Sequence, residues 1–111
     1  MSRAYTPPDH LAETASAFAA LGSEQRLSVL LTLVRAGPNG LSVGDLGARV
    51  GLSGSTLTHH MKILVQAGLI HQKKHGRKII AAAAFDPVQA LSKFLLSECC
   101  ADATDRDETH G

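Results

Sequence analysis

Two short helical segments meet at Gly51-Leu52-Ser53, and a cation-rich hairpin follows directly behind the second. No other feature constrains this chain as strongly. The first segment starts at Ser42 with Asp45 three residues on, an arrangement like a capping box. It points Leu46 and Val50 inward and stops at Gly51. The second has Ser53 as its natural N-cap, a stripe of Leu57, Met61 and Leu64, and Gly68 as its stop. Leu69 to Lys73 and Lys78 to Ala82 then read as two strands joined around His75-Gly76, with Lys73, Lys74, Arg77 and Lys78 about the turn. Two helices joined by a tight turn and followed by a basic hairpin predict a mainly α fold with a small β-hairpin wing, a winged helix-turn-helix.

The flanking segments complete one domain. A first helix opens at Pro8 or Asp9 with Leu11, Ala15, Phe18 and Ala19 at helical spacing, and Gly22 ends it. Ser23 caps a second, which runs to about Ala36 with Leu27, Leu30, Leu31 and Val34 on one face, and Gly37-Pro38-Asn39-Gly40 closes it. A last helix, capped by Asp86 and begun by Pro87, passes through Val88, Leu91, Phe94 and Leu95 to Cys99. The expected organisation is a flexible N-terminus over 1–8, the winged helix-turn-helix over 9–100 and an acidic disordered tail over 101–111. The alanines from Ala81 to Ala84 suit a strand end or loop and suggest no function. No apolar run approaches the ~20 residues of a membrane span. Residues 1–8 lack the pattern of a signal peptide, and two cysteines do not make a disulfide scaffold. A soluble cytoplasmic protein is expected.

Charge adds direction. Residues 1–93 hold ten Lys/Arg against five Asp/Glu, a net +5, whereas 94–111 hold one against five, a net −4. A basic body with an acidic tail suits a nucleic-acid binder whose tail stays off the phosphates, although such asymmetry also arises by chance. In a helix-turn-helix the second helix enters the major groove, its N-terminal residues nearest the base edges. The outward residues there are Ser55, Thr56, Thr58, His59 and Lys62. The hydroxyls and His59 suit bases or phosphates, and Lys62 suits a phosphate. Backbone amides near Gly54 and Ser55 offer a further phosphate site. An ordinary solvated face is the competing reading for the isolated helix; the adjoining turn and wing favour DNA. Lys74, Arg77 and Lys78, with Lys73, are expected on phosphate or in the minor groove, the alternative being a solubilised hairpin edge. His60, beside Met61, is expected to pack and hydrogen-bond rather than read DNA.

Ala20-Leu21-Gly22-Ser23-Glu24-Gln25-Arg26-Leu27 resembles the opening motif of the ArsR/SmtB family of winged-helix repressors. Leu52-Ser53 to Ile70 resembles that family's recognition segment, and Gly76-Arg77 its wing turn. The resemblance spans Leu11 to Cys100. It implies a homodimer built on the first and last helices, double-stranded operator DNA read as an imperfect palindrome, and a small inducer that releases it. Val43-Gly44-Asp45-Leu46 lacks the Cys-x-Cys of several metal sensors in the family, and Asp86 to Cys100 lacks the histidines of its zinc sensors. Phe94-Leu95-Leu96-Ser97-Glu98-Cys99-Cys100, with Ile79 to Phe85 before it, resembles the arsenic-responsive subgroup, whose last helix ends in adjacent cysteines. That subgroup's usual third cysteine is missing from 101–111.

Cys99 and Cys100 therefore become the expected ligands of a trivalent arsenical, an inducer rather than a permanent cofactor. Neighbours on a helix point about 100° apart, so as structural residues one would be buried and one exposed. A redox switch is disfavoured, because a helix C-terminus with Glu98 and Asp102 nearby does not favour a thiolate. An adjacent-residue disulfide is also strained. Arsenic(III) hydroxides are soft and condense with thiols by losing water, so no thiolate is required. Arsenite wants three sulfurs; a monomethylated arsenical is saturated by two. Other readings stay open: a redox- or heavy-metal (Cd or Pb) repressor using the same pair, a protein-interaction module on this fold, and, weakest, a small hydrolase. Asp45 and Asp86 are far apart and serve as caps, so no enzyme is expected.

Overall fold

In the computed structural model, which describes residues 8–103, the order is α1 (Leu11–Ala20), α2 (Glu24–Ala36), β1 (Leu41–Ser42), α3 (Val43–Val50), α4 (Gly54–Gln66), β2 (Ile70–His75), β3 (Lys78–Ala83) and α5 (Phe85–Ser97). The expectations of a flexible N-terminus over 1–8 and a disordered tail over 101–111 fall mostly on residues 1–7 and 104–111, which lie outside the described residues. Local chemistry sets most boundaries. Ser23 Oγ accepts from the Arg26 amide at 3.3 Å, opening α2, and Ser42 Oγ accepts from the Asp45 amide at 3.1 Å, opening α3. Gly51 takes φ 73, the left-handed C-terminal turn that lets α3 hand over to α4 within three residues.

The core lies where α2, α3 and α4 meet the sheet. Val29, Leu30 and Leu33 of α2, Leu46 of α3, and Leu57, Met61 and Leu64 of α4 pack with Leu69, Ile70, Ala81 and Ala83. Gly47 is buried where α3 meets the turn; a Cβ there would lie 2.5 Å from the Leu52 carbonyl oxygen. The absence of a side chain is what lets the two helices approach.

The hairpin is part of a three-stranded antiparallel sheet, ordered β1-β3-β2. The two-residue β1 pairs Leu41 with Ala81 and Ser42 with Ile80. It was not legible in the sequence, being too short for any alternation to show. It makes β3 the central strand, with Ala81, Ala82 and Ala83 buried. Their small side chains allow α2 and the loop before β1 to lie close over the strand, which gives the alanine run a packing role.

Three expectations are corrected. Leu27 and Leu31 are 41% and 52% exposed; α2 carries more leucine than one face can bury, and the inward stripe is Val29, Leu30 and Leu33. Asp86 is the second residue of α5, not its cap: Ala84 holds the cap position and its carbonyl accepts from the Val88 amide at 3.0 Å. Pro87 fits because a helix's first turn has no use for its missing N–H. Finally, α5 stops at Ser97, two residues before Cys99. The Ser97 hydroxyl bonds the Phe94 carbonyl at 2.6 Å, competing locally with the helix ladder.

Helices α1 and α5 contribute little to this core. α1 buries only Ala17 and Ala20, and α5 buries no residue fully. Leu11 and Phe18 on α1 remain exposed, and so do Leu95 and Leu96 on α5, at 70% and 74%. No described helix is long and apolar enough to cross a membrane.

Candidate nucleic-acid interface and thiol pair

Helix α4 presents one buried and one exposed side. Leu57, Met61 and Leu64 are buried, while Ser55, Thr56, Thr58, His59 and Lys62 are all exposed. The Thr58 hydroxyl donates to the Gly54 carbonyl at 3.1 Å, leaving its lone pairs outward. Ser53 occupies the N-cap position of α4 but makes no capping bond, so the first-turn amides have no partner from that side chain. His60 is half-buried: its Nδ1 accepts from Arg26 Nη1 at 3.4 Å, since guanidinium only donates. Burial foremost, then the Arg26 and His59 charges, hold its pKa below the usual 6.5.

Strand register divides the wing cations. His75 pairs with Lys78, Lys73 with Ile80 and His71 with Ala82, so Lys73 and Lys78 share one sheet face with two histidines. Lys74 pairs with Ile79 on the other face, the side on which Gln72 reaches Met61 of α4. Arg77 lies in the turn beside Gly76, and all four cations are exposed. The alternation His71, Lys73, His75 is visible in the sequence, but the cations read there as one group because only cross-strand pairing separates the faces. Wing and α4 are joined through the Gln72–Met61 contact.

Cys99 and Cys100 are both exposed, so neither acts as a buried apolar residue. The chain beyond α5 runs in tight turns: the Cys99 amide bonds the Leu96 carbonyl at 2.9 Å and the Ala101 amide bonds that of Glu98 at 3.2 Å. Cys100 takes φ 63, the left-handed region. This unwinding brings the sulfurs to 3.4 Å, where a continued helix would splay them. Their shared hydrogen bond foremost, with the neighbouring Cys99 charge, pushes the Cys100 thiol above its ordinary pKa. Cys100 thus holds its proton more tightly than a free thiol does. No group of three or more His, Cys, Asp or Glu that could hold a metal occurs among the described residues.

A helix-turn-helix domain family matches residues 21–73. The transcriptional activator HlyU of Vibrio cholerae is 33% identical over 76 residues, 68% of each chain. Its structure superposes with a TM-score of 0.68 at 29% identity, covering 85% of this chain and 99% of that one. An ArsR-like transcriptional regulator from Rhodococcus gives 0.65 at 28% identity, covering 85% and 95%. A homodimeric winged helix-turn-helix DNA-binding domain from Mycobacterium bovis gives 0.65 over 97% and 98%, at 20% identity a likeness of fold alone.

Proposed function

The chain belongs to the ArsR family of winged helix-turn-helix transcriptional regulators, and from that premise we propose that it is a homodimeric repressor released from its operator by a trivalent arsenical on Cys99 and Cys100. The observation that carries the inducer is the sulfur pair 3.4 Å apart on an exposed turn. With bonds of about 2.3 Å, as for thiolate metals, and a near-right angle at the central atom, two sulfurs sit ~3.3 Å apart. Each thiol gives its proton to a hydroxide on arsenic, which leaves as water while an As–S bond forms. Two such exchanges saturate methylarsenite. The condensation uses thiols in their protonated form, whereas the redox reading needs a thiolate. Two sulfurs alone also serve Cd or Pb less well than a fuller thiolate set. The test is a gel shift on operator DNA with methylarsenite, arsenite and Cd(II), where methylarsenite is expected to release at or below the arsenite concentration. Release by Cd(II) alone would move the assignment to a heavy metal.

Ser55, Thr56, Thr58, His59 and Lys62 are the proposed major-groove contacts; Lys74, Arg77 and Lys78 are the proposed wing contacts. Thr58→Ala or His59→Ala should shift base preference, whereas Arg77→Ala should weaken all duplexes and reduce the salt slope by about one. Unchanged affinity and slope in Arg77→Ala would remove the wing from the phosphates.

The proposed dimer joins α1 and α5 of two copies. Leu11, Phe18, Leu95 and Leu96 form exposed apolar surface that the domain core does not use. Half-sites one helical turn apart, or a multiple, should then carry an imperfect palindrome. Light scattering at micromolar concentration is expected to give twice the 11.7 kDa chain mass. A stable monomer there would overturn the dimer.

A further inference from the structure

Arg26 stands at the start of α2 and reaches two other helices. Its Nε donates to the carbonyl of Ala20, the last residue of α1, at 2.6 Å. Its Nη1 donates to Nδ1 of His60 in the middle of α4 at 3.4 Å. Both bonds are half-buried, and the second joins residues 34 apart in the chain. A guanidinium offers donors in a rigid planar fork, so the two bonds fix its plane and, through it, the imidazole. Nδ1 must accept, which places the proton of neutral His60 on Nε2.

Helix α1 has few other holds on the domain. Its buried residues are Ala17 and Ala20, while Leu11 and Phe18 face away. The carbonyl Arg26 captures is therefore at the anchored end of a loosely held helix. We propose that Arg26 is a positioning residue for DNA reading: it fixes the rotation of α4 through His60 and ties that rotation to α1. His60 itself touches no DNA in this arrangement; it is the socket through which Arg26 holds the helix carrying Thr58, His59 and Lys62.

The tie has a chemical weakness that identifies it. A proton on Nδ1 removes the acceptor and sets a second cation against the guanidinium. The charged groups facing the ring are Arg26 from α2 and His59 beside it on α4. Acid therefore opens the tie, below pH 6.5 because both burial and Arg26 resist protonation. Any histidine that faces phosphate acts with the opposite sign, gaining attraction as it gains a proton. Glutamine at position 60 supplies a carbonyl acceptor that does not titrate.

This rests on the chain's reading DNA, so the experiment has one arm without it. Affinity for a palindromic duplex selected from a random library is measured by anisotropy from pH 8 to 5.5, with thermal melting of each protein as a check on folding. His60→Ala and Arg26→Lys, which cannot make both bonds, are expected to bind roughly tenfold more weakly at pH 8, the loss of a charge-assisted hydrogen bond. His60→Gln is expected to restore affinity, and its ratio to wild type should rise as pH falls below 6.5. Superimposable pH profiles for wild type and His60→Gln, or full affinity in Arg26→Lys, would overturn the proposal. In the DNA-free arm, NMR titration of the His60 ring should show a higher midpoint in Arg26→Gln than in wild type. An unchanged midpoint refutes the tie itself, whereas a shifted midpoint in a protein that selects no duplex refutes only the DNA reading.

Discussion

A Cys99→Ser/Cys100→Ser protein is expected to remain on its operator at arsenical concentrations that free the wild type. Both side chains are exposed, so the exchange of sulfur for oxygen removes no packing and should leave stability within about 0.5 kcal/mol. DNA affinity should also hold, since the pair lies beyond α5, outside the helix-turn-helix and wing that carry the proposed contacts. What disappears is the chelate. Once one As–S bond has formed, the second closes at an effective concentration near the millimolar range, so losing either thiol should raise the half-release concentration by about 100-fold or more. Either single serine variant should therefore behave nearly like the double one. Operator release titrated with methylarsenite and arsenite on all four proteins is the measurement. Release of the double variant at wild-type concentrations would end the proposal for this site.

The structure alters how the proposed release would work. A helix running to Cys99 would have to unwind before one arsenic atom could take both sulfurs. The observed helix ends at Ser97 and the sulfurs already adjoin, so binding locks a turn that exists. Leu95 and Leu96 lie on the last helical turn before it, on the proposed dimer surface. In the proposed dimer, locking that turn would bias how the two copies pack and hence the spacing of their α4 helices. Linkage then requires that DNA weaken arsenical binding by the same factor that the arsenical weakens DNA binding.

Gly40→Ala is expected to damage the fold itself. Gly40 has φ 69, and a Cβ there would lie 2.1 Å from the Ala81 carbonyl oxygen and 3.0 Å from the Ala82 side chain. The left-handed backbone costs an L-residue about 1–2 kcal/mol. Displacing the central strand adds about 1–3 kcal/mol, as overpacking does. Together that is a large part of the roughly 5–15 kcal/mol that holds a domain folded. Gly51→Ala separates the two effects, because its φ is 73 but no atom outside its immediate neighbours lies within 4 Å of the added carbon. Denaturant melts should show a loss of about 1–2 kcal/mol for Gly51→Ala and clearly more for Gly40→Ala. Equal losses would mean that the loop yields and that the close approach to β3 is not a constraint.

The architecture was legible because its signals are local. Ser23, Ser42 and Gly51 act within one turn of backbone, and Leu57, Met61 and Leu64 share a face by helical spacing alone. The outward residues of α4 followed by subtraction, and all five are exposed. Adjacency of Cys99 and Cys100 is covalent, so the pair needed no fold to be noticed.

Other features depend on groups far apart in the chain. Which apolar residues of α2 are buried is decided by where α3, α4 and β3 press on it; periodicity placed Leu27 and Leu31 on the inward face and passed over Val29 and Leu33. The pairing of β1 with β3 turned an alanine run into a central strand, and cross-strand register divided the wing cations between two faces. Arg26 shows nothing in sequence of its bonds to Ala20 and His60, because they exist only once three helices have converged. The sulfurs meet because Ser97 ends α5 early and Cys100 turns left-handed, small backbone energies that no residue pattern there announces. Sequence by itself determined the fold class, the helix proposed to read DNA and the thiol pair, all set by neighbours within a turn or two. Tertiary structure decided burial, facing and hydrogen-bond partnership, because those depend on which distant surfaces compete for the same space.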